Sequence, residues 1–282
     1  MILVIGATGN VGRHVLSQLH AMARADVRAL VLPGKAAATR VPHGISIATG
    51  SLGTPEGLTE ALTGIKTVFL VWPFLTTRGA PAVLETIARH AQRLVYLSSI
   101  GVDGRPEERD DPIFKMHADM ERLIEDSGLP RTILRVDTIA SNTLGWAEQI
   151  RATGVVRGPL TAPTAVIDPR DIAAVAARTL ADDAHLGATY QLTGPQTISR
   201  PEQVEAIGAA IGRELRFEEV PVQDARAQML ADGRPPALVD ALLSAAENRS
   251  ASTLVTSTVA ELTGEAPRSF QQWARDHRDA FR

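Results

Sequence analysis

Short apolar runs alternate with stretches whose apolar positions recur every three to four residues through roughly the first 195 positions of the chain. Residues 2–5 (Ile-Leu-Val-Ile) form the first run, which stops at Gly6. Runs of this kind predict strands near 2–5, 26–32, 44–49, 66–72, 93–99, 131–136 and 188–193. The periodic stretches between them predict helices near 11–23, 55–64, 80–91, 112–128 and 169–182. Strand and helix in alternation, joined by short connections, give a parallel sheet wound on both faces. Leu94-Val95-Tyr96-Leu97 is apolar without alternation, as expected of a strand covered on both sides. After about residue 196 helices dominate, near 200–213, 222–232, 236–249, 256–264 and 269–281, with one strand near 215–221. The Gly-, Thr- and Pro-rich segment 142–163 is expected to join this second unit. The fold class expected is therefore α/β: a Rossmann doubly wound parallel sheet built from 1–141 and 164–195, plus a smaller, mostly helical substrate lobe built from 142–163 and 196–282.

The most informative local pattern is Gly6-Ala7-Thr8-Gly9-Asn10-Val11-Gly12, which follows the first strand and opens the first helix. In that setting Gly6 permits the tight turn, Gly9 lets backbone approach a pyrophosphate, and Gly12 lets the helix pack closely on the sheet. The N–H groups at the start of the helix then face the phosphates. Gly6, Thr8, Gly9, Asn10, Val11 and Gly12 are thus the expected core of a dinucleotide site.

Composition narrows the class further. The 282 residues carry a net charge of −3 and no Cys. Thiolate catalysis and thiolate-bound metals are excluded, and no basic stripe points to nucleic acid. The apolar runs fall short of the ~20 residues of a membrane helix. Absence of Cys and of a basic leader before residues 2–5 fits the cytoplasm. The scattered histidines show no metal-ligand spacing, so no metal is expected. A monomer or homodimer acting on a small apolar or aromatic substrate is the expected assembly and partner.

Coenzyme choice is read at the end of the second strand. It runs Leu30-Val31-Leu32-Pro33-Gly34-Lys35, with neither a carboxylate for a ribose nor an Arg for a 2′-phosphate at its tip. Lys35 and Arg40 follow, and the missing acid leaves a 2′-phosphate unopposed. The expectation is a weak preference for NADPH with NADH possible; Lys35 reads equally well as a solvated loop residue.

With these residues in view, the chain resembles the NmrA-like group of atypical short-chain dehydrogenases/reductases. The glycine turn, Val27 to Leu30, Leu97 to Gly101, His117 to Glu121, Ile133 to Arg135, Asp168 to Ala173 and Leu192 to Pro195 carry the resemblance. It implies a Rossmann domain with a small C-terminal substrate lobe and an NAD(P) cofactor. The group includes quinone and flavonoid-type reductases, natural-product tailoring enzymes and non-catalytic redox sensors. The chain departs from the group at Leu32, where an Arg is common, at Ser51, where an Asp is common, and at Val136, where a Pro is usual. Both Leu32 and Ser51 stand at adenosine-side cofactor positions. Asn142 matches an Asn at the cofactor–substrate junction, or is an ordinary polar loop residue.

Short-chain dehydrogenases commonly use a Tyr four residues before a Lys. Here the two tyrosines, Tyr96 and Tyr190, are followed at that distance by Ile100 and Gly194, and both fall in expected strands. His117 lies at the edge of the apolar face of helix 112–128, about where related reductases carry the active-site Lys. It is the candidate proton carrier, with Glu121 one turn on as its hydrogen-bond partner; the alternative is a surface His without chemistry. Ser98 and Ser99 end the fifth strand, where ligands bind in such sheets, or simply cap a turn. Ser99 is taken with His117 as catalytic and Ser98 as a cofactor contact. Val71, Trp72 and Pro73 end the fourth strand as cofactor-side apolar residues, with Phe74 on the substrate side. Asp168-Pro169-Arg170-Asp171 reads as a helix start. The function these features favour is NAD(P)H-dependent reduction of a quinone, enone or aromatic polyketide-like carbonyl. The alternative is a redox-sensing regulator that binds the cofactor without turnover.

Overall fold

The computed structural model of the chain describes residues 1–24, 26–36, 39–103, 111–248 and 253–282. Its centre is a seven-stranded, all-parallel sheet made of β1 (Ile2–Val4), β2 (Val27–Val31), β3 (Ser46–Thr49), β4 (Thr67–Leu70), β5 (Arg93–Ser99), β6 (Arg131–Val136) and, after one strand outside the sheet, β8 (Thr189–Leu192). The spatial order is β3-β2-β1-β4-β5-β6-β8, so the winding direction reverses between β1 and β4. Ligands of such sheets bind beyond the carboxyl ends of the strands at that reversal.

Two cores sandwich the sheet. On one face Ile2, Val4, Val95 and Leu134 pack against α1 (Gly12–Ala21) and α6 (Pro169–Ala181). On the other, Leu3, Val68, Leu94 and Ile133 pack against α2 (Thr59–Leu62), α3 (Ala80–His90) and α4 (Pro112–Asp126). Alternate residues of each strand feed the two cores, which is why the strands read as continuous apolar runs. Helix starts follow local chemistry. Asp111 caps α4 by accepting from the Ile113 and Phe114 amides, with Pro112 in the first turn. Asp168 caps α6 in the same way through the Arg170 amide, while the buried Asp171 pairs with Arg268.

Residues 142–163 are more regular than their composition suggests. A 3-10 turn (Ala140–Trp146) leads into α5 (Ala147–Thr153) and then β7 (Val155–Gly158), which pairs in parallel with β9 (Arg216–Glu219). Neither α5 nor β7 was expected, because each is short and takes its regularity from partners distant in sequence. Around this pair, α7 (Arg200–Ile211) and α11 (Phe270–Asp276) bury Ile150, Val156, Val204, Ile207 and Trp273. A hairpin of α8 (Val222–Ala231) and α9 (Pro236–Asn248) has its own small core of Val220, Ala225, Val239 and Leu243, and α9 rests on α4. The short α10 (Thr258–Thr263) instead returns to the sheet, where Val259 joins the α1 and α6 core. The expected helix over 55–64 is a 3-10 turn (Pro55–Leu58) followed by α2, and that over 269–281 ends in a 3-10 turn.

Gly12 shows how tightly the first turn is built. A Cβ at this position would lie 2.1 Å from the Gly6 carbonyl oxygen and 2.7 Å from its carbon. Both are backbone atoms and cannot swing away. Gly12→Ala is expected to lower stability by about 2 kcal/mol or more, as an overpacked core site does, read as a lowered urea midpoint with unchanged m value. A midpoint equal to the parent's would mean that the turn has slack the structure does not show.

Candidate active site

The glycine turn lies at the carboxyl end of β1, beside the reversal point of the sheet. Gly6 has φ +83°, a left-handed value, and a Cβ there would strike Val71 Cβ at 2.9 Å. Val71 thus forms the wall against which the turn closes. A Cβ at Gly9 would find only the Gly6 oxygen, at 3.2 Å, within contact range. Thr8, Gly9 and Asn10 are exposed while Ala7 and Val11 are buried beneath them. The arrangement is a backbone shelf, open above Gly9, in front of the first turn of α1. The first amides of a helix have no partner within it, so the shelf suits the pyrophosphate of a dinucleotide.

The other cofactor candidates separate in space. Leu32 is 57% exposed at the tip of β2, and Lys35 and Arg40 are exposed beyond it. Arg28 is occupied with the Ala61 and Thr63 carbonyls at 2.7 and 3.0 Å. Ser51 accepts from the Gly53 amide at 3.1 Å and shapes a turn after β3. Trp72 does not line a cleft. Only 5% exposed, it belongs to the α3 and α4 core, and its indole N–H donates to the Thr76 carbonyl at 2.9 Å. Pro73 is exposed, and Phe74, 41% exposed, meets the Trp72 ring edge-on at 5.1 Å. Beyond the end of β4 the chain turns Trp72 inward and leaves Phe74 as the exposed aromatic. Asn142 is exposed on the 3-10 turn that follows β6.

Beneath the carboxyl end of β5, polar side chains form two separate pairings. Glu121 does not bond His117. Its carboxylate accepts from the buried Ser98 hydroxyl and from Arg135, whose Nε and second nitrogen lie 3.0 and 2.6 Å from its oxygens. Arg135 also pairs with Asp103, and these contacts hold its guanidinium more firmly protonated. Ser98 is thereby committed below the strand end. Ser99 is half-buried at the end itself, and its hydroxyl accepts from the Gly101 amide at 3.3 Å.

His117 turns instead to Tyr96, with Nδ1 2.8 Å from the tyrosine hydroxyl. Tyr96 is 0% exposed, as expected of a core aromatic, but its hydroxyl is engaged. Burial lowers the His117 pKa from 6.5 to about 4. At neutral pH the ring is uncharged, so it acts as a hydrogen-bonding group rather than as the imidazolium shuttle expected from its residue type. Lys115, on the outer side of the same helix, is tied to Asp119 at 2.8 Å. The Tyr96–His117 contact lay beyond sequence reasoning because a separation of 21 positions between a strand and a helix leaves no periodic trace. Among the described residues, no cluster of three His, Asp or Glu side chains is placed to hold a metal ion, and no helix is long and apolar enough to cross a membrane.

The model of the NmrA-like family matches residues 1–262. The chain belongs to the NmrA-like family. It is 39% identical over 288 aligned positions to a (4-alkanoyl-5-oxo-2,5-dihydrofuran-3-yl)methyl phosphate reductase of Streptomyces griseus, covering 100% of this chain and 99% of that one. It is 33% identical to an NAD(P)H azoreductase of Xenophilus azovorans, with 100% and 99% covered. The NADPH-dependent quinone oxidoreductase of Escherichia coli, solved with NADPH, superposes with a TM-score of 0.83 at 25% identity, over 98% of this chain and 99% of that one. The chain is accordingly an NAD(P)H-dependent oxidoreductase of the NmrA type.

The pKa shift of His117 has a consequence for stability. Between pH 6.5 and about 4 the unfolded chain binds a proton at this position that the folded chain refuses. Stability therefore falls on acidification through that window, by up to about 1.4 kcal/mol per pH unit for one group. His14, also lowered to about 4 by burial, adds in the same direction. Urea unfolding of the parent and of His117→Gln between neutral and acid pH should show a shallower acid loss in the variant. Parallel curves would place the His117 ring in solvent.

Proposed function

We propose that this chain reduces a small conjugated acceptor, a quinone or an enone on an apolar or aromatic body, with NAD(P)H. The observation that carries the reading is His117 held by the Tyr96 hydroxyl, with burial favouring its uncharged form, at a position where the resemblance to related reductases puts the Lys of a Tyr–Lys pair. Such a site lacks a strong acid, and conjugated acceptors need one least. The substrate for which the Streptomyces relative is named fits the conjugated part of this description, since its dihydrofuran ring double bond is conjugated with an oxo and an alkanoyl group, although it also carries a phosphate. Quinone reduction by the Escherichia coli relative fits as well.

When bound, the nicotinamide supplies a hydride to the acceptor. The residues of the chain do the rest. The shelf at Gly6, Thr8, Gly9, Asn10, Val11 and Gly12 holds the pyrophosphate, and Val71 and Pro73 close the nicotinamide side. Phe74, Asn142 and the lobe of 142–163 and 196–282 enclose the acceptor. His117 stabilises the negative charge that grows on the acceptor oxygen by a hydrogen bond from the ring edge turned away from Tyr96. Ser99 borders the same space. The proton that completes the two-electron reduction comes from water, because a neutral imidazole keeps its own.

For the coenzyme we propose a modest NADPH preference. The segment from Leu32 to Arg40 at the tip of β2 carries no carboxylate to repel a 2′-phosphate, and Lys35 and Arg40 within it are exposed. A flexible, exposed Lys is a point charge without a bidentate grip. Exposed pairs of this kind are worth about 0.2–1 kcal/mol, so the preference should be roughly tenfold or less.

The decisive assay mixes the protein with NADPH and a panel of quinones and cyclic enones, followed as loss of nicotinamide absorbance. Turnover is expected with the parent protein, and none with Gly9→Val, whose branched side chain fills the shelf while leaving the fold intact. A parent that binds NADPH tightly and reduces none of the panel would be behaving as a sensor, which overturns the reading. Separately, the Lys35→Ala, Arg40→Ala double variant should lose most of the NADPH preference in calorimetric titrations while keeping NADH affinity. An unchanged ratio would remove both residues from the coenzyme site.

A further inference from the structure

The Tyr96 hydroxyl has one hydrogen, and among the described residues its partner is His117. The tyrosine ring is fully buried, and among the described residues the polar atom within hydrogen-bond reach is His117 Nδ1, at 2.8 Å. Were Nδ1 to carry the proton and donate to the tyrosine oxygen, the tyrosine O–H would be left without an acceptor inside the core. That costs about 1–3 kcal/mol. The arrangement that satisfies both groups has the hydroxyl donating to an unprotonated Nδ1, which leaves the ring proton on Nε2.

The surroundings support a neutral ring. Several charged groups on the described elements packed around it are paired with one another. Glu121, on the same helix, takes Ser98 of β5 and Arg135 of β6. Asp103, after β5, takes Arg135 as well. Asp119 of α4 holds Lys115 and Arg122, and Asp240 of α9 holds Arg226. Burial is the sole influence that moves the His117 pKa.

We propose that Tyr96 is a positioning residue whose hydroxyl fixes His117 as the neutral Nε2–H tautomer, so that one N–H donor is aimed at the carbonyl oxygen of the bound acceptor. The tautomer follows from the buried hydrogen bond alone; the role of the N–H rests on the reductase reading given above. His117 as a whole is half-buried: Tyr96 holds Nδ1 in the core, and Nε2 is not one of the buried polar atoms left without a partner, so that edge of the ring is the one that can face a ligand. A tyrosine thus serves the reaction without touching it. Its hydroxyl gives the ring one fixed orientation and keeps Nδ1 from competing for the proton.

Nitrogen-15 spectra of histidine-labelled protein, with the His117 signals identified by their loss in His117→Gln, test the tautomer directly. The Nε2–H form is expected from about pH 5.5 to 8, with or without NADPH. An Nδ1–H form, or an imidazolium appearing with a midpoint near 6.5, overturns the proposal. Tyr96→Phe removes only the hydroxyl and is expected to give mixed tautomers and to lower kcat roughly tenfold or more, as loss of a tautomer-holding partner does. KM and NADPH affinity should stay within about twofold, since neither the shelf nor the lobe is altered. In a His117→Ala background the same change should cost nothing further in kcat. An equal fractional loss in both backgrounds would make Tyr96 a purely structural residue, and a loss confined to NADPH affinity would move the donor from substrate to cofactor. Either result overturns the proposal. Should the protein reduce none of the acceptors, the spectra of parent and Tyr96→Phe still decide whether the hydroxyl sets the tautomer.

Discussion

The contact between Gly12 and the Gly6 carbonyl is the constraint on which the molecule turns. A Cβ at Gly12 would stand 2.1 Å from that oxygen, so backbone meets backbone with nothing between. This approach brings the start of α1 against the end of β1 and makes the intervening residues bulge outward as a shelf. It also sets the depth at which Val15, Leu16 and Leu19 enter the core and hence how α1 lies against α6. Because β1 lies inside the sheet and borders the reversal point, the same contact shapes the shelf proposed for the dinucleotide. Gly6 adds a second restriction, since its left-handed backbone and the nearness of Val71 exclude a side chain there too.

On the opposite face, the polar side chains of β5, β6 and α4 beneath the strand ends are paired with one another. β5 brings Tyr96 and Ser98 to one side, β6 brings Arg135 beside them, and α4 lays His117 and Glu121 across the top. A carboxylate answers a guanidinium better than it answers a neutral imidazole. Glu121 therefore goes to Arg135, with the Ser98 hydroxyl filling a remaining acceptor site, and His117 is left to the tyrosine. The outcome is one anchored ion pair below the strand ends and one neutral ring beside them. That division separates a charge-bearing support from an uncharged hydrogen-bonding ring, and it underlies the role proposed for His117 in a chain without the usual Tyr–Lys pair.

The comparisons and the geometry meet at this point. Relatives that share a third or more of their residues with the chain along its full length are reductases, and the solved quinone oxidoreductase shares its architecture. The lobe made by α5, β7, α7, β9 and the α8–α9 hairpin has cores of its own, separate from those of the sheet, and touches the sheet's helices where α9 rests on α4.

The amino-acid sequence alone determined the alternating strands and helices, the parallel sheet, the glycine turn and the helix start at Asp168. All of these are local: a period of hydrophobic positions, a side chain without a Cβ, or a cap that bonds an amide two residues on. The absence of a Tyr–Lys pair is equally a property of the sequence. Tertiary structure decided the rest. It turned Trp72 into the core and left Phe74 exposed, made a strand of Val155–Gly158 by pairing it with Arg216–Glu219, and gave Glu121 to Arg135 rather than to its neighbour on the helix. It also joined Tyr96 to His117. These outcomes depend on which groups compete for the same partner in space. Helical spacing allows Glu121 to reach His117, and only the arrival of β6 with Arg135 removes that option.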